Sequence, residues 1–402
     1  MKKELWIQIF SYKPNSDAAA NRALSFAKYF NKNGFKVHVI TNGINNNTEI
    51  IDNIEVHRIA NRFHYKKKNI LNRFLDNLVF LNGSKRVIKK NRLDIDKSFY
   101  FVSSPELISS KAGLLAKKCG AKLIFDVRDI WPEVAIQMGA FTEKSFFAKY
   151  FKKCAIKMYE ECDCLTTVGQ RKYNYLKEYN KGKYGDKVRL ISNGVDLDDL
   201  KTQFDYSIIK KYNLDNKKYV SYVGNVGAAQ GLETMLEIAK KHSDLLFLIC
   251  GKGKELIKLQ DIVFQSNITN VLFTGEITKP QALAITKTSY ISFISLQSKL
   301  MVDSVPTKLY ESLALGIPTF LIASGESCDI LNETGLGKTA TPGDEKEIMH
   351  NFNYMLENYS CFKSHIDLSI ELVKNKYSRQ SANKELGSIF DGMIESGDIK
   401  LE

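Results

Sequence analysis

What the chain lacks narrows its identity first. No run of about 18 apolar residues occurs, so no membrane-spanning helix is expected. The N-terminal stretch Met1–Phe10 is too short an apolar run for a signal peptide, and Glu4 and Gln8 interrupt it. Cysteine is sparse and odd in number, seven in 402 residues, which suits a reducing compartment and argues against a disulfide framework. Histidine is rarer still: six residues are scattered through the chain, and Cys162-Asp163-Cys164 lacks the spacing of a zinc knuckle. No structural metal is expected. Acid is nearly missing from one long window, Arg58–Arg92, which holds eleven Lys or Arg against Asp76 alone.

What is present points to a globular protein. At 45.7 kDa, with 44% hydrophobic and 26% charged residues, the chain has material for two domains or one large one. A formal charge of +13 invites a polyanion, an anionic membrane face or a phosphorylated substrate, without choosing among them. In the basic window, Ile70, Leu71, Phe74, Leu75, Leu78, Val79, Phe80 and Leu81 give a broad apolar face. That combination reads as a helix lying on an anionic bilayer, with a core helix of basic outer face as the alternative. No nucleic-acid recognition motif accompanies the charge.

Strand and helix signals alternate along the chain. Leu5–Phe10 reads as a strand, residues 11–20 as a polar loop, Asn21–Asn33 as a helix and Lys36–Ile40 as a second strand. The loop carries Ala18-Ala19-Ala20 where a dinucleotide fold would place glycines, so a nicotinamide fingerprint is absent. Arg22, at the expected helix start, is placed to meet an anion or to stay solvated. A strand at Phe99–Val102 leads into Ser103-Ser104-Pro105-Glu106, a plausible helix start. Another at Lys122–Phe125 runs directly into Asp126-Val127-Arg128-Asp129-Ile130-Trp131-Pro132-Glu133. Acids flanking an arginine at a strand's C-terminal end are where parallel sheets place chemistry, and Trp131 would line a pocket. A structural ion pair is the alternative.

The second half restarts the pattern. A strand at Tyr219–Val223 enters Gly224-Asn225-Val226-Gly227 and Gly231, and a strand at Leu245–Cys250 enters Gly251-Lys252-Gly253. Glycines there let backbone N–H groups approach a phosphate. Gly325-Glu326 is expected to point into the same crevice. The resulting organisation is α/β: a domain over 1–195, a linker over 196–217, a second domain over 218–365, and a C-terminal helical segment, 366–402, packing back on the first domain.

The most informative window is Asp303-Ser304-Val305-Pro306-Thr307-Lys308-Leu309-Tyr310-Glu311 through Pro318, a polar start, a short helix and an apolar strand. A helix N-terminus with a nearby ammonium would hold phosphate, and an acid one turn further in would accept hydroxyl hydrogen bonds.

With these motifs in place, the chain resembles retaining, nucleotide-sugar-dependent glycosyltransferases of family 4, and within them a bacterial fucosaminyl-transferase-like branch that builds surface polysaccharide on a lipid carrier. The resemblance implies two Rossmann-like domains facing a central cleft, the GT-B fold. It covers nearly the full length. Asp303 and Glu311 occupy the places of the family's two acids, separated by seven residues; the first is normally glutamate. The resemblance gives Glu311 the ribose hydroxyls and Lys308 the diphosphate, with Gly224, Asn225, Gly227, Lys252, Asp303, Ser304 and Glu326 around the donor. The family's cations after the glycine turn are missing, because Ala228, Ala229 and Gln230 stand there. On the acceptor side it implies Arg22, Ser104, Arg128 and Trp131, with Asp126 or Asp129 orienting or deprotonating the acceptor hydroxyl. Asn193-Gly194-Val195-Asp196 matches the family's hinge signature.

The expected function is retaining transfer of a sugar, such as N-acetyl-fucosamine or a related acetamido-deoxy sugar, from a UDP-sugar to a polyprenyl-diphosphate-linked glycan in surface polysaccharide or capsule synthesis. No cofactor, metal or nucleic acid is expected, and the location implied is the inner face of the plasma membrane. Two rivals share the features: a UDP-sugar 2-epimerase, and a non-enzymatic nucleotide- or polyanion-binding module.

Overall fold

The computed structural model describes residues 3–15, 17–61, 70–96, 98–103, 107–137, 139–201, 204–297 and 302–396. Two compact units divide the chain: residues 1–193 with 382–402, and residues 194–381.

The first unit is built on an eight-stranded sheet. Its strands are β1 (Glu4–Ile9), β2 (Lys36–Gly43), β3 (Asn47–Ile51), β4 (Ile54–Ala60), β5 (Phe99–Ser103), β6 (Lys122–Val127), β7 (Cys164–Thr167) and β8 (Val188–Leu190), in the order β3-β4-β2-β1-β5-β6-β7-β8. Every pairing is parallel except the β3–β4 hairpin, whose edge strand is half-exposed and carried no apolar run to announce it. Both sheet faces are covered, as parallel strands require. Leu5, Ile7 and Ile9 pack with Phe26, Phe30, Phe99 and Phe101 on one face. Trp6, Tyr100, Val102, Leu123 and Phe125 pack with Phe80, Ile88, Met158 and Tyr159 on the other.

Two helices in this unit differ from expectation. The first begins at Ala18, not Asn21: Asp17 caps it by accepting from the Ala19 and Ala20 N–H groups at 3.0 Å. Ala18-Ala19-Ala20 is therefore its first turn, consistent with alanine's helix propensity. The helix Ile70–Lys90 turns its apolar side inward, with Phe80 and Ile88 fully buried and Phe74, Leu78 and Val87 packed against the same core. Phe80 and Leu81 of that face belong to the core and Phe74, Leu75, Leu78 and Val79 are half-buried, which favours the core-helix alternative; the side chains of Ile70 and Leu71 lie outside the described residues. Lys66-Lys67-Lys68, in the same basic window, lies outside the described residues.

The second unit holds β9 (Tyr219–Val223), β10 (Leu246–Cys250), β11 (Val271–Gly275), β12 (Ile291–Ser295), β13 (Thr319–Ile322) and β14 (Gly337–Ala340), all parallel, in the order β11-β10-β9-β12-β13-β14. Counted within the unit this is 3-2-1-4-5-6, the doubly wound order whose switch point lies between its first and fourth strands. The helices Leu256–Gln265 and Glu326–Thr334 were not anticipated.

The boundaries shift accordingly. Residues 196–217 are not a free linker: they carry the helix Ser207–Lys211, and Ile208, Ile209 and Leu214 pack under Tyr219, Leu248 and Ile285 in the second unit. The expected C-terminal helix is two helices, Ile366–Lys376 and Arg379–Glu395. The former stays in the second unit, its Ser369 hydroxyl donating to Leu313 O at 3.1 Å. From Ala382 onward the latter belongs to the first unit, where Phe390 stacks on Phe99 at 4.1 Å and on Phe30 at 4.8 Å.

Candidate functional site

Within the second unit, the loops leaving β9, β10 and β12 converge at the switch point. The turn at Gly224 and the turn at Gly251 touch backbone to backbone: Gly224 N–H donates to Cys250 O, and Val226 N–H to Lys252 O, both at 2.9 Å. Gly251 has φ +141°, and a Cβ there would overlap Gly224 O, so only glycine fits. Gly224 has φ +144°, and a Cβ there would come within 2.9 Å of the Lys308 ammonium. The glycine at 224 thus leaves room for a cation rather than for chain flexibility.

Lys308 is the second residue of the helix Thr307–Ala314, which starts after Pro306 with no side-chain cap. Its ammonium lies 3.9 Å from the centroid of the Tyr222 ring, which it faces, and the Tyr222 hydroxyl donates to Asn225 O at 2.5 Å. Among the described residues no carboxylate lies within ion-pair distance of Lys308. Burial pulls its pKa down to about 7, and Glu311 only partly opposes that. Glu311, one turn further, has its pKa raised by burial first; Asp199 adds to this, and the charges of Lys279, Arg379 and Lys308 work against it. A buried ammonium lacking an anion has a high affinity for one. Lys308, Glu311, Lys279 and Ser312 line a cavity of about 50 Å³. It is water-sized, so a nucleotide would lie over the strand ends rather than inside it.

The other donor-side residues divide. Asp303 is half-buried in the loop four residues before the helix, not at its start. Ser304 contributes its carbonyl to the Ser327 hydroxyl at 2.6 Å, and Glu326 N–H donates to Val302 O at 2.8 Å. Glu326 is the buried first residue of the helix Glu326–Thr334, and Gly325 lets that helix meet the 302–304 loop closely. Gly227 and Asn225 belong to the turn, and Ala228–Gln230 form one tight 3-10 turn carrying no cation. Lys252 differs from expectation: it is exposed and pairs with Glu276 at 2.7 Å, so its charge is screened at the surface.

In the first unit the acid at the end of β6 is enclosed. Asp126 has no exposed surface. It accepts from the Thr166 hydroxyl at 2.8 Å, the Ser103 hydroxyl at 2.7 Å and Arg22 Nη2 at 3.3 Å. The register Ser103–Asp126–Thr166 across β5, β6 and β7 puts those donors side by side. Arg22 is buried too, donating also to Ile191 O at 2.9 Å, Ser192 O at 3.2 Å and Asn193 Oδ1 at 3.2 Å. Two expectations are therefore corrected. Asp126 cannot receive an acceptor hydroxyl, because its oxygens are occupied and sealed from solvent. Arg22 is neither solvated nor free for an external anion.

Asp129 and Arg128 stay half-buried in the loop after β6. Arg128 faces Asp17, a residue sequence reasoning passed over. Burial works to raise the Asp17 pKa, but hydrogen bonds from Ser11, Ala20 and Ala19 and the charge of Arg128 hold it below the ordinary value. The missed signal was Asp immediately before three alanines, an N-cap pattern. Trp131 packs on Phe151 at 5.0 Å, as part of the aromatic core rim. Ser104 lies outside the described residues.

Comparison with known proteins follows this division. Residues 19–199 match the family model described as Glycosyltransferase Family 4, and residues 205–377 match the one described as Glycosyl transferases group 1. WcaI of Escherichia coli (strain K12), a candidate colanic acid biosynthesis glycosyl transferase, is 26% identical over 222 residues, 50% of this chain. The match spans about half the length of that relative, 51%. Among solved structures, sucrose-phosphate synthase from Thermosynechococcus elongatus superimposes with a TM-score of 0.75 at 16% identity, covering 98% of this chain and 100% of that one. HepE of Anabaena in complex with UDP gives 0.69 at 13% identity, covering 97% and 100%.

Proposed function

We propose that this chain, a glycosyltransferase of the GT-B fold, transfers a sugar from a UDP-sugar, with retention at the anomeric carbon, to a lipid-linked glycan acceptor. The observation that carries the reading is the half-buried ammonium of Lys308 beside Gly224, with no carboxylate within ion-pair distance among the described residues, at the switch point of a doubly wound sheet. An ammonium with a pKa of about 7 is only partly protonated near neutral pH, becomes fully charged when a diphosphate arrives, and is desolvated before binding. It therefore favours charge developing on the leaving diphosphate without reorganising during the reaction. The free N–H groups of the helix Thr307–Ala314 act in the same direction. Glu311 takes the ribose hydroxyls. With no cation in Ala228–Gln230 and Lys252 paired at the surface, Lys308 is the principal cationic side chain of this arrangement.

On the acceptor side, Asp129 orients the hydroxyl, since Asp126 is enclosed. The proton passes to an oxygen of the departing diphosphate, which becomes basic as the glycosidic bond breaks. HepE was solved with UDP, which supports uridine as the base; the acetamido-deoxy sugar rests on the branch resemblance alone. A screen of nucleotide sugars for hydrolysis and for protection against unfolding tests the donor. Protection by UDP-sugars, abolished in Lys308→Ala, is the expected result; no response to any uridine nucleotide would overturn it. Anomeric analysis of the product tests retention, and an inverted product would sink it. A donor converted to a new sugar without acceptor would favour the epimerase.

The polyprenyl-diphosphate acceptor calls for contact with an anionic membrane surface. Part of the apolar side of Ile70–Lys90 is taken up by the core, and a second supporting feature is the helix Phe146–Glu161. Phe146 is 77% and Phe147 49% exposed, and exposed Lys149, Lys152 and Lys153 follow them. Aromatic side chains beside lysines suit the headgroup boundary of an anionic bilayer. Flotation with anionic vesicles should fall severalfold in Phe146→Ser/Phe147→Ser; equal flotation would remove this helix from the reading.

A further inference from the structure

The most closely converging set of metal-ligating atoms among the described residues lies in the first unit, away from the strand ends. The register pairs Trp6 of β1 with His38 of β2, and His38 with Glu55 of β4, so all three share one sheet face. His57, two residues on from Glu55, shares that face by the period of a strand. His38 Nδ1 is 3.3 Å from His57 Nε2 and 3.4 Å from Glu55 Oε2, and His57 Nε2 is 3.6 Å from Glu55 Oε1.

The His38 contact uses one Glu55 oxygen and the His57 contact the other, so two imidazoles and a carboxylate surround one point. Ligand atoms about 2.0–2.1 Å from a tetrahedral zinc stand ~3.4 Å apart, which is the spacing found. The Thr48 hydroxyl lies 3.2 Å from His57 Nδ1, within hydrogen-bond distance, and Glu4 Oε2 lies 3.8 Å from His38 Nε2, beside that far nitrogen without reaching hydrogen-bond distance. Trp6 stacks on His38 at 3.9 Å with 2° between the rings, holding its plane. Both histidines are buried, while the Glu55 side chain is 35% exposed, giving a fourth, solvent-side position.

We infer that His38 Nδ1, His57 Nε2 and a Glu55 carboxylate oxygen form a structural site for a zinc-like divalent cation, with water as the fourth ligand. The ion would clip β2 to β4. The competing arrangement needs no metal: a proton shared between the two ring nitrogens. That proton satisfies one of the three close pairs, whereas a cation satisfies all three.

The test uses the full chain, stripped with a chelator and titrated with zinc against a chromophoric competitor. One equivalent should bind, and the melting temperature should rise by roughly 5 °C at about a hundredfold excess over the dissociation constant. Glu55→Gln, at a half-exposed position that should leave folding intact, should weaken binding at least tenfold, and His57→Ala should abolish it. Cobalt substitution should give a tetrahedral visible spectrum without a thiolate charge-transfer band, which separates this site from the cysteines. Absence of stoichiometric uptake, or uptake unchanged in Glu55→Gln and His57→Ala, would overturn the assignment in favour of the shared proton.

Discussion

Asp126 and Lys308 make an instructive pair. Each is an ionisable group near the C-terminal ends of a parallel sheet, one in each unit, Asp126 fully enclosed and Lys308 half-buried. Asp126 is met by Thr166, Ser103 and Arg22 and has no exposed surface. Lys308 is met by an aromatic face, a glycine without a side chain, and no carboxylate within ion-pair distance among the described residues. Burial of a charge is costly in both places. Where the protein supplies the counter-charge, the group fastens strands together. Where it leaves the counter-charge out, a ligand is the missing partner. Position at a strand end does not by itself mark a reacting group; an incomplete set of partners does.

The comparison can be broken by substitution. The largest effect is expected from Lys308→Met, which should lower kcat/KM about a thousandfold, ~4 kcal/mol of transition-state stabilisation. Its melting temperature below pH 7 should hold or rise, since an unfavourably buried charge is gone. A loss of stability matching the loss of activity would show that Lys308 is another fastening group. Next is Asp126→Asn, which leaves Arg22 facing a neutral amide in a sealed site. Stability should drop by roughly 3 kcal/mol in chemical denaturation, while KM for the donor stays near the wild-type value. A changed pH profile with unchanged stability would instead restore Asp126 as a reacting group.

Glu311→Gln should raise the donor KM about tenfold, the loss of one charge-assisted hydrogen bond to a ribose hydroxyl. Comparison with a 2′-deoxyribose donor should give non-additive losses. Per pH unit, the smallest effect is in pH dependence. Lys308 titrates at about 7 when folded against 10.5 ordinarily, so between those values the unfolded chain binds more protons. Stability of the ligand-free protein should therefore rise with pH across that window, by at most about 1.4 kcal/mol per pH unit. Below pH 7 the contribution is flat. UDP binding in the same window should take up a proton, measurable by calorimetry in buffers of different ionisation enthalpy, and Lys308→Met should abolish the uptake.

Much of this was readable from residue order alone. Period-2 and 3.6 patterns, with glycines at strand exits, determined the succession of strands and helices in both halves, because burial of alternate side chains is a local demand. Tyr219–Val223 was located to the residue. Lys308 and Glu311 were picked out as an ammonium at a helix N-terminus and an acid one turn further in, places the family resemblance also gives them, and the helix brings both to the same cavity. Tertiary structure alone decided which polar side chains face one another across strands. Asp126 looks identical in the sequence whether it opens to solvent or is enclosed; residues 22, 103 and 166 enclose it through register and helix packing. His38, Glu55 and His57 converge because β2 and β4 are neighbours, a pairing no local pattern specifies. The same limit explains Ile70–Lys90, whose amphipathic face fits a bilayer or a core equally well. Residue order sets the face of each element; only assembly determines what that face meets.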